Sequence, residues 1–73
     1  MTRIQDLNRA VFVWATTDEE PSIQFDGHMA SFGFNDIGRA NAALVAFETG
    51  GVIEGKTFSR LRDSLFRKIR GAK

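Results

Sequence analysis

The sequence contains no cysteine, one histidine, one proline and no hydrophobic run longer than six residues. Each absence removes a class of function. Without cysteine there is neither a disulfide staple nor a thiolate metal site, and the chain suits a reducing interior such as the cytoplasm. His28 alone cannot build a zinc site, and it is the only imidazole that could serve as the base of a nucleophilic triad. The run Ala10 to Ala15 is too short to span a membrane and wrongly flanked for a signal peptide, so no membrane association is expected. With a single proline, 42% hydrophobic and 26% charged residues, the composition argues against disorder. No internal repeat or low-complexity tract interrupts it.

What is present points to one small domain spanning residues 1–73. A chain of this length buries only about 60% of the surface that its unfolded form exposes, so little volume remains for a large substrate cavity. Seven phenylalanines and one tryptophan supply dense aromatic packing. The net charge of +1 hides a polarised layout. Residues 1–37 carry two basic and six acidic side chains, whereas residues 38–73 carry eight basic and three acidic ones. Such asymmetry marks either a docking surface or two halves of one domain that attract each other.

Local patterns give the elements. Thr2 is placed to cap a short N-terminal helix, with Gln5 three residues on and Ile4, Leu7 and Val11 at helical spacings. Ala10 to Thr16 (AVFVWAT) reads as a first strand, because valines and aromatics favour a pleated surface. Both of its faces are apolar, which predicts a central or doubly covered strand. Thr17 to Pro21 forms an exposed acidic connection. In Ser22 to Phe34, Asp26-Gly27 predicts a two-residue hairpin turn that pairs Phe25 with His28 and Ile23 with Ala30. Ile23, Phe25, His28, Ala30, Phe32 and Phe34 then share the core face, with His28 partly buried and one ring nitrogen bonded. Asn35 or Asp36 caps a helix whose apolar side is Ile37, Ala40, Leu44 and Phe47 and whose stop is Gly50. Its other side, Ala42, Ala43 and Ala46, reflects helix propensity or close approach by another element. The last helix begins at Lys56 or Thr57 and ends at Gly71. Phe58, Leu61, Leu65, Phe66 and Ile69 form its stripe, Arg60, Ser64, Arg67 and Lys68 lie opposite, and Asp63 can pair with Arg67. The expected fold is α+β: a small three-stranded antiparallel meander, two C-terminal helices packed on one face, and the short N-terminal helix.

One stretch imitates nucleotide chemistry. Gly50, Gly55, Lys56 and Thr57 satisfy the G-x-x-x-x-G-K-[ST] pattern of a phosphate loop. That loop needs a buried strand before it, and NAALVAFE reads as a helix. No strand in the sixteen residues after Thr57 offers a second carboxylate to a metal. Gly50 and Gly55 are better explained as a helix stop and a linker, so no nucleotide and no cofactor is expected. Catalysis is not expected either, since Asp18, Glu19 and Glu20 lie where pKa tuning is weak.

A binding role remains. Nucleic acid is one candidate partner, through a helix–turn–helix-like arrangement of residues 36–70 with basic groups in its second helix. The plainer reading of Arg67, Lys68, Arg70 and Lys73 is a solvated helix end, where cations favour the dipole by about 0.3–1 kcal/mol each. The Gly50 to Lys56 connection is also longer than such a motif requires. Arg62 falls within the apolar sector and either snorkels or meets Asp36, Glu48 or Glu54. A protein partner is the other candidate. Arg60, Arg67, Lys68 and Arg70 would steer approach, and Trp14 or Phe12 with Ile4 and Leu7 would form the apolar centre, unless the N-terminal helix covers them.

The size, absent cysteine, compact α+β pattern and polarised charge resemble those of small bacteriophage-encoded transcription regulators that bind host RNA polymerase, one of which has a chain of this length. The resemblance runs over the whole chain in character and carries no diagnostic motif, so no functional position is transferred by it. It implies binding to a polymerase subunit, interference with sigma-dependent initiation, possible antitermination, and action in the host-cell cytoplasm. CRISPR inhibitors of phages share the same profile. The chain is expected to act as a monomer.

Overall fold

In the computed structural model, which describes residues 2–71, the element order is β1 (Thr2–Ile4), α1 (Leu7–Thr17), β2 (Ser22–Asp26), β3 (Met29–Phe34), α2 (Ile37–Glu48) and α3 (Gly55–Gly71). The α+β class, the three antiparallel strands and the two C-terminal helices match expectation. The N-terminal third does not.

Ala10 to Thr16 is helix, not strand. Ala10, Val11, Phe12 and Val13 are all buried. On a helix these four positions point in four directions about 100° apart, so the middle turn of α1 is enclosed, while Asn8 and Thr16 nearer its ends are exposed. An apolar run without periodicity is equally consistent with a doubly covered strand and an enclosed helix. The caps decide. The Asp6 carboxylate accepts from the Asn8 backbone N–H at 3.0 Å, and Asp18 ends the helix in the left-handed region at φ 59°, its N–H donating to the Trp14 carbonyl. The Thr17 hydroxyl donates to the Val13 carbonyl and accepts from the Glu19 N–H, which closes the last turn.

The N-terminal helix expected around Thr2 is instead strand β1, paired antiparallel with β3 (Thr2 opposite Phe34, Ile4 opposite Phe32). The sheet order is therefore β1-β3-β2 rather than that of a meander. β1 and β2 run parallel to each other with β3 between them, and α1 crosses from one edge to the other. Hairpin register also differs from expectation. Asp26 faces Met29, Phe25 faces Ala30 and Ile23 faces Phe32, so the two-residue turn is Gly27-His28. Only Gly27 has positive φ, at 62°, as a turn with glycine at its first central position requires. His28 is thereby moved off the core face to an exposed turn position. The apolar set of Ile23, Phe25, Ala30, Phe32 and Phe34 keeps one face.

Ile4, Phe32 and Phe34 of the sheet, Ala10, Val11 and Val13 of α1, Ala40 and Ala43 of α2, and Leu61 and Leu65 of α3 form the core. Burying each of the larger side chains contributes about 1.5–3 kcal/mol. In α2 the buried positions are Ala40 and Ala43, while Ile37, expected inside, is 47% exposed. Small side chains let α2 approach α1, and the Phe12 and Phe47 rings meet edge-on at 5.3 Å. Gly50, at φ 89°, and Gly51 end α2 by donating to the Phe47 and Ala46 carbonyls, a Schellman closure. Both α2 and α3 make their extensive helix contacts with α1.

Candidate docking surface

Helix α3 is 17 residues long, about 25 Å at 1.5 Å per residue. Its inner side is fixed by Leu61 and Leu65, with Phe58 and Ile69 packed against the core. That orientation turns Lys56, Arg60, Asp63, Arg67 and Arg70 outward, and all five are exposed. Their spacings of four, three, four and three residues hold them on one face. Among the described residues, no carboxylate lies within ion-pair distance of the four cations on it. Asp63 does not pair with Arg67 as its spacing suggested; the Arg67 Nε donates instead to the Asp63 backbone carbonyl at 3.4 Å. Asp63, Phe66, Arg67 and Arg70 line a shallow open depression on this face.

Lys68 stands apart. It lies on the flank of α3, pairs with Glu20 and sits 5.7 Å from the centroid of the half-buried Trp14 ring. The acidic connection is thus engaged by the fold. Glu19 is tied too, accepting from the Asn35 N–H at 2.7 Å and the Asp36 N–H at 3.4 Å, where the chain turns into α2. Arg62 meets none of the three carboxylates proposed for it; its guanidinium stacks 4.6 Å from the Phe66 ring centroid on its own helix. Arg9 joins α1 to α2, donating to Asp6 at 2.9 Å and Glu48 at 2.5 Å and lying over Phe47. Glu48 foremost, and Asp6 after it, raise the Arg9 pKa above the ordinary arginine value. No sequence pattern links positions 9 and 48, because the contact depends on how α1 and α2 cross.

The expected apolar docking centre is not assembled at the surface. Ile4 and Phe12 are 6% and 5% exposed and belong to the interior, and Leu7 packs against the core. Trp14 is half-buried beneath Lys68. Of the residues selected from sequence for partner binding, Arg60, Arg67 and Arg70 come together on one open face, and Lys68 lies beside them in an internal ion pair. Lys73 lies outside the described residues. Lys56 completes the face, and its helical spacing to Arg60 was the signal for it.

The phosphate-loop pattern is taken up by helix ends. Ala42 to Phe47 is helical, Gly50 and Gly51 close α2, and the Thr57 hydroxyl donates to the Glu54 carboxylate at 3.3 Å. The hydroxyl that such a loop would turn to a metal ion is thus bonded to a neighbouring carboxylate. Residues 36–70 do not form a helix–turn–helix pair, since α2 and α3 each pack on α1 rather than on one another. No protein family, curated protein or solved structure matches the chain.

Proposed function

We propose that the protein is a non-enzymatic binding module that regulates a larger macromolecular complex, docking on an acidic surface of it through the outer face of α3. The observation that carries this reading is the line of Lys56, Arg60, Arg67 and Arg70, exposed and without carboxylate partners among the described residues. A solvated helix face usually alternates charge; this one carries four cations and one anion. Uncompensated charge of one sign steers association and selects a partner of the opposite sign.

The leading partner is bacterial RNA polymerase, with interference in sigma-dependent initiation and antitermination as the activity. Its support is the resemblance in size and charge layout to phage regulators of that enzyme. Such a protein acts in the host-cell cytoplasm. DNA is the second reading, favoured by the same line of cations. In it α3 would track phosphates, and base reading would fall to its arginines at guanine edges, because the outer face offers no asparagine or glutamine to an adenine edge.

Affinity capture from nuclease-treated bacterial lysate separates the two. Polymerase subunits are expected in stoichiometric amounts without DNA, and Arg60→Glu with Arg67→Glu is expected to abolish their recovery. Recovery of nucleic acid alone from untreated lysate reverses the order. In that case affinity falls steeply with salt, and removing Arg60 or Arg67 lowers the slope by about one each.

A further inference from the structure

We propose that the outer edge of β2 pairs with the same edge of a second copy of this chain, joining two three-stranded sheets into one of six strands. β2 lies at the sheet edge, and among the described residues its one extensive contact with another element is with β3. The two edges of the sheet differ in protection. β1 is three residues long and carries Arg3 at its centre. β2 has five residues, no lysine, arginine or proline, and its single charge at the end nearest the turn. Short length, cations and prolines are the usual devices that keep an edge from pairing, and β2 has none of them.

The hairpin determines which groups the edge offers. A two-residue turn makes its flanking residues, Asp26 and Met29, a hydrogen-bonded pair. The alternation then directs the backbone groups of Ser22, Gln24 and Asp26 toward β3. Those of Ile23 and Phe25 point away from the sheet. An antiparallel copy centred on Gln24 puts Ile23 opposite the partner copy's Phe25, and Phe25 opposite its Ile23. Each such pair exchanges two backbone hydrogen bonds, four in all, so both outward N–H groups and both outward carbonyls are used.

The side chains agree with that register. Ile23 and Phe25 are half-buried on the core face, and each would lie across from the other type, an aliphatic–aromatic cross-strand pair. On the opposite face Ser22 would stand across from Asp26, a hydroxyl donor facing a carboxylate. Gln24 would meet its own copy, amide to amide. No like charges oppose one another. A shift by one residue in either direction centres the pairing between two residues, so it brings outward groups opposite inward ones and loses the ladder.

Self-pairing replaces the monomer expected from the sequence. It is independent of the docking role of α3, although two copies would present two cationic faces to one partner and gain avidity. The interface is small, so association in the micromolar range is expected.

Sedimentation equilibrium from micromolar to millimolar concentration, with amide exchange followed by NMR, tests it. The wild type is expected to dimerise, and protection of the Ile23 and Phe25 amides is expected to rise with concentration while that of Gln24, bonded to β3, stays constant. Gln24→Lys puts two ammonium groups face to face and is expected to raise Kd roughly five-fold or more. Ser22→Lys puts an ammonium opposite Asp26 twice over and is expected to lower Kd by a similar factor. Both positions are exposed, and circular dichroism should show the fold unchanged. A chain that stays monomeric to millimolar concentration overturns the proposal, even if this edge takes up an extended peptide from another protein. So does a dimer whose Kd moves the same way with both lysines.

Discussion

A methyl group at Gly51 would lie 2.8 Å from both the Ala46 carbonyl oxygen and the Phe12 ring, well inside contact distance. The Ala46 oxygen cannot retreat, because it already accepts the Gly51 N–H at 2.7 Å to close α2. Phe12 is held edge-on against Phe47. Gly51→Ala is therefore expected to destabilise the protein by about 1–3 kcal/mol, the usual range for overpacking. Gly55→Ala meets nothing within 4 Å and has no positive φ, so it should stay within about 0.5 kcal/mol of the wild type. Urea unfolding midpoints at constant m-value compare the two. Equal midpoints would mean that the α2–α3 connection yields to the added methyl. Nothing in the sequence distinguishes Gly51 from Gly55; only the passage of Phe12 beneath the α2 terminus does so.

At the scale of elements, α1 shows how much was legible and why the rest was not. The hairpin's apolar face, α2 with its Asp36 cap, and α3 with its stripe follow from periodicities of two and 3.6, because each shows one face to solvent. The middle turn of α1 shows none. AVFVWAT has the composition of a strand, and enclosure by the sheet, α2 and α3 overrides that preference. The remaining signal was Asp6 before Leu7, a helix start hidden by the weaker capping pattern at Thr2. The candidate surface divides the same way. Spacing along α3 predicts which cations share a face, but no spacing predicts that Glu20 captures Lys68 while Arg67 goes without a carboxylate. Replacement of Asp6 tests the reassignment. Asp6→Ala removes an N-cap and is expected to cost about 1 kcal/mol, whereas Asp6→Asn keeps the cap, loses the Arg9 pair and should cost only a few tenths. A strand over Ala10 to Thr16 would leave both substitutions near neutral in thermal unfolding.

For the whole molecule, α1 is the element that touches the rest: β1, α2 and α3 all pack on it. The sheet and the two outer helices communicate largely through its side chains, so loss of any one layer exposes Val11, Phe12 or Val13. A domain of this size has only about 4–11 kcal/mol of total stability, too little to survive that exposure in a partly folded form. The molecule should open as one cooperative unit, with only its ends fraying beforehand. Native-state hydrogen exchange is expected to find the amides of Phe12 to Trp14 the most protected, at the free energy of global unfolding, with Thr2 to Ile4 and the last turn of α3 exchanging through smaller openings. Leu65 contacts the core from α3 and is fully buried. Leu65→Ala should cost about 2–5 kcal/mol and lower the protection of α1 and of the central strand β3 by the same amount. Protection lost in α3 alone, with α1 and β3 unchanged, would show instead that α3 detaches independently and that the layers are not coupled through α1.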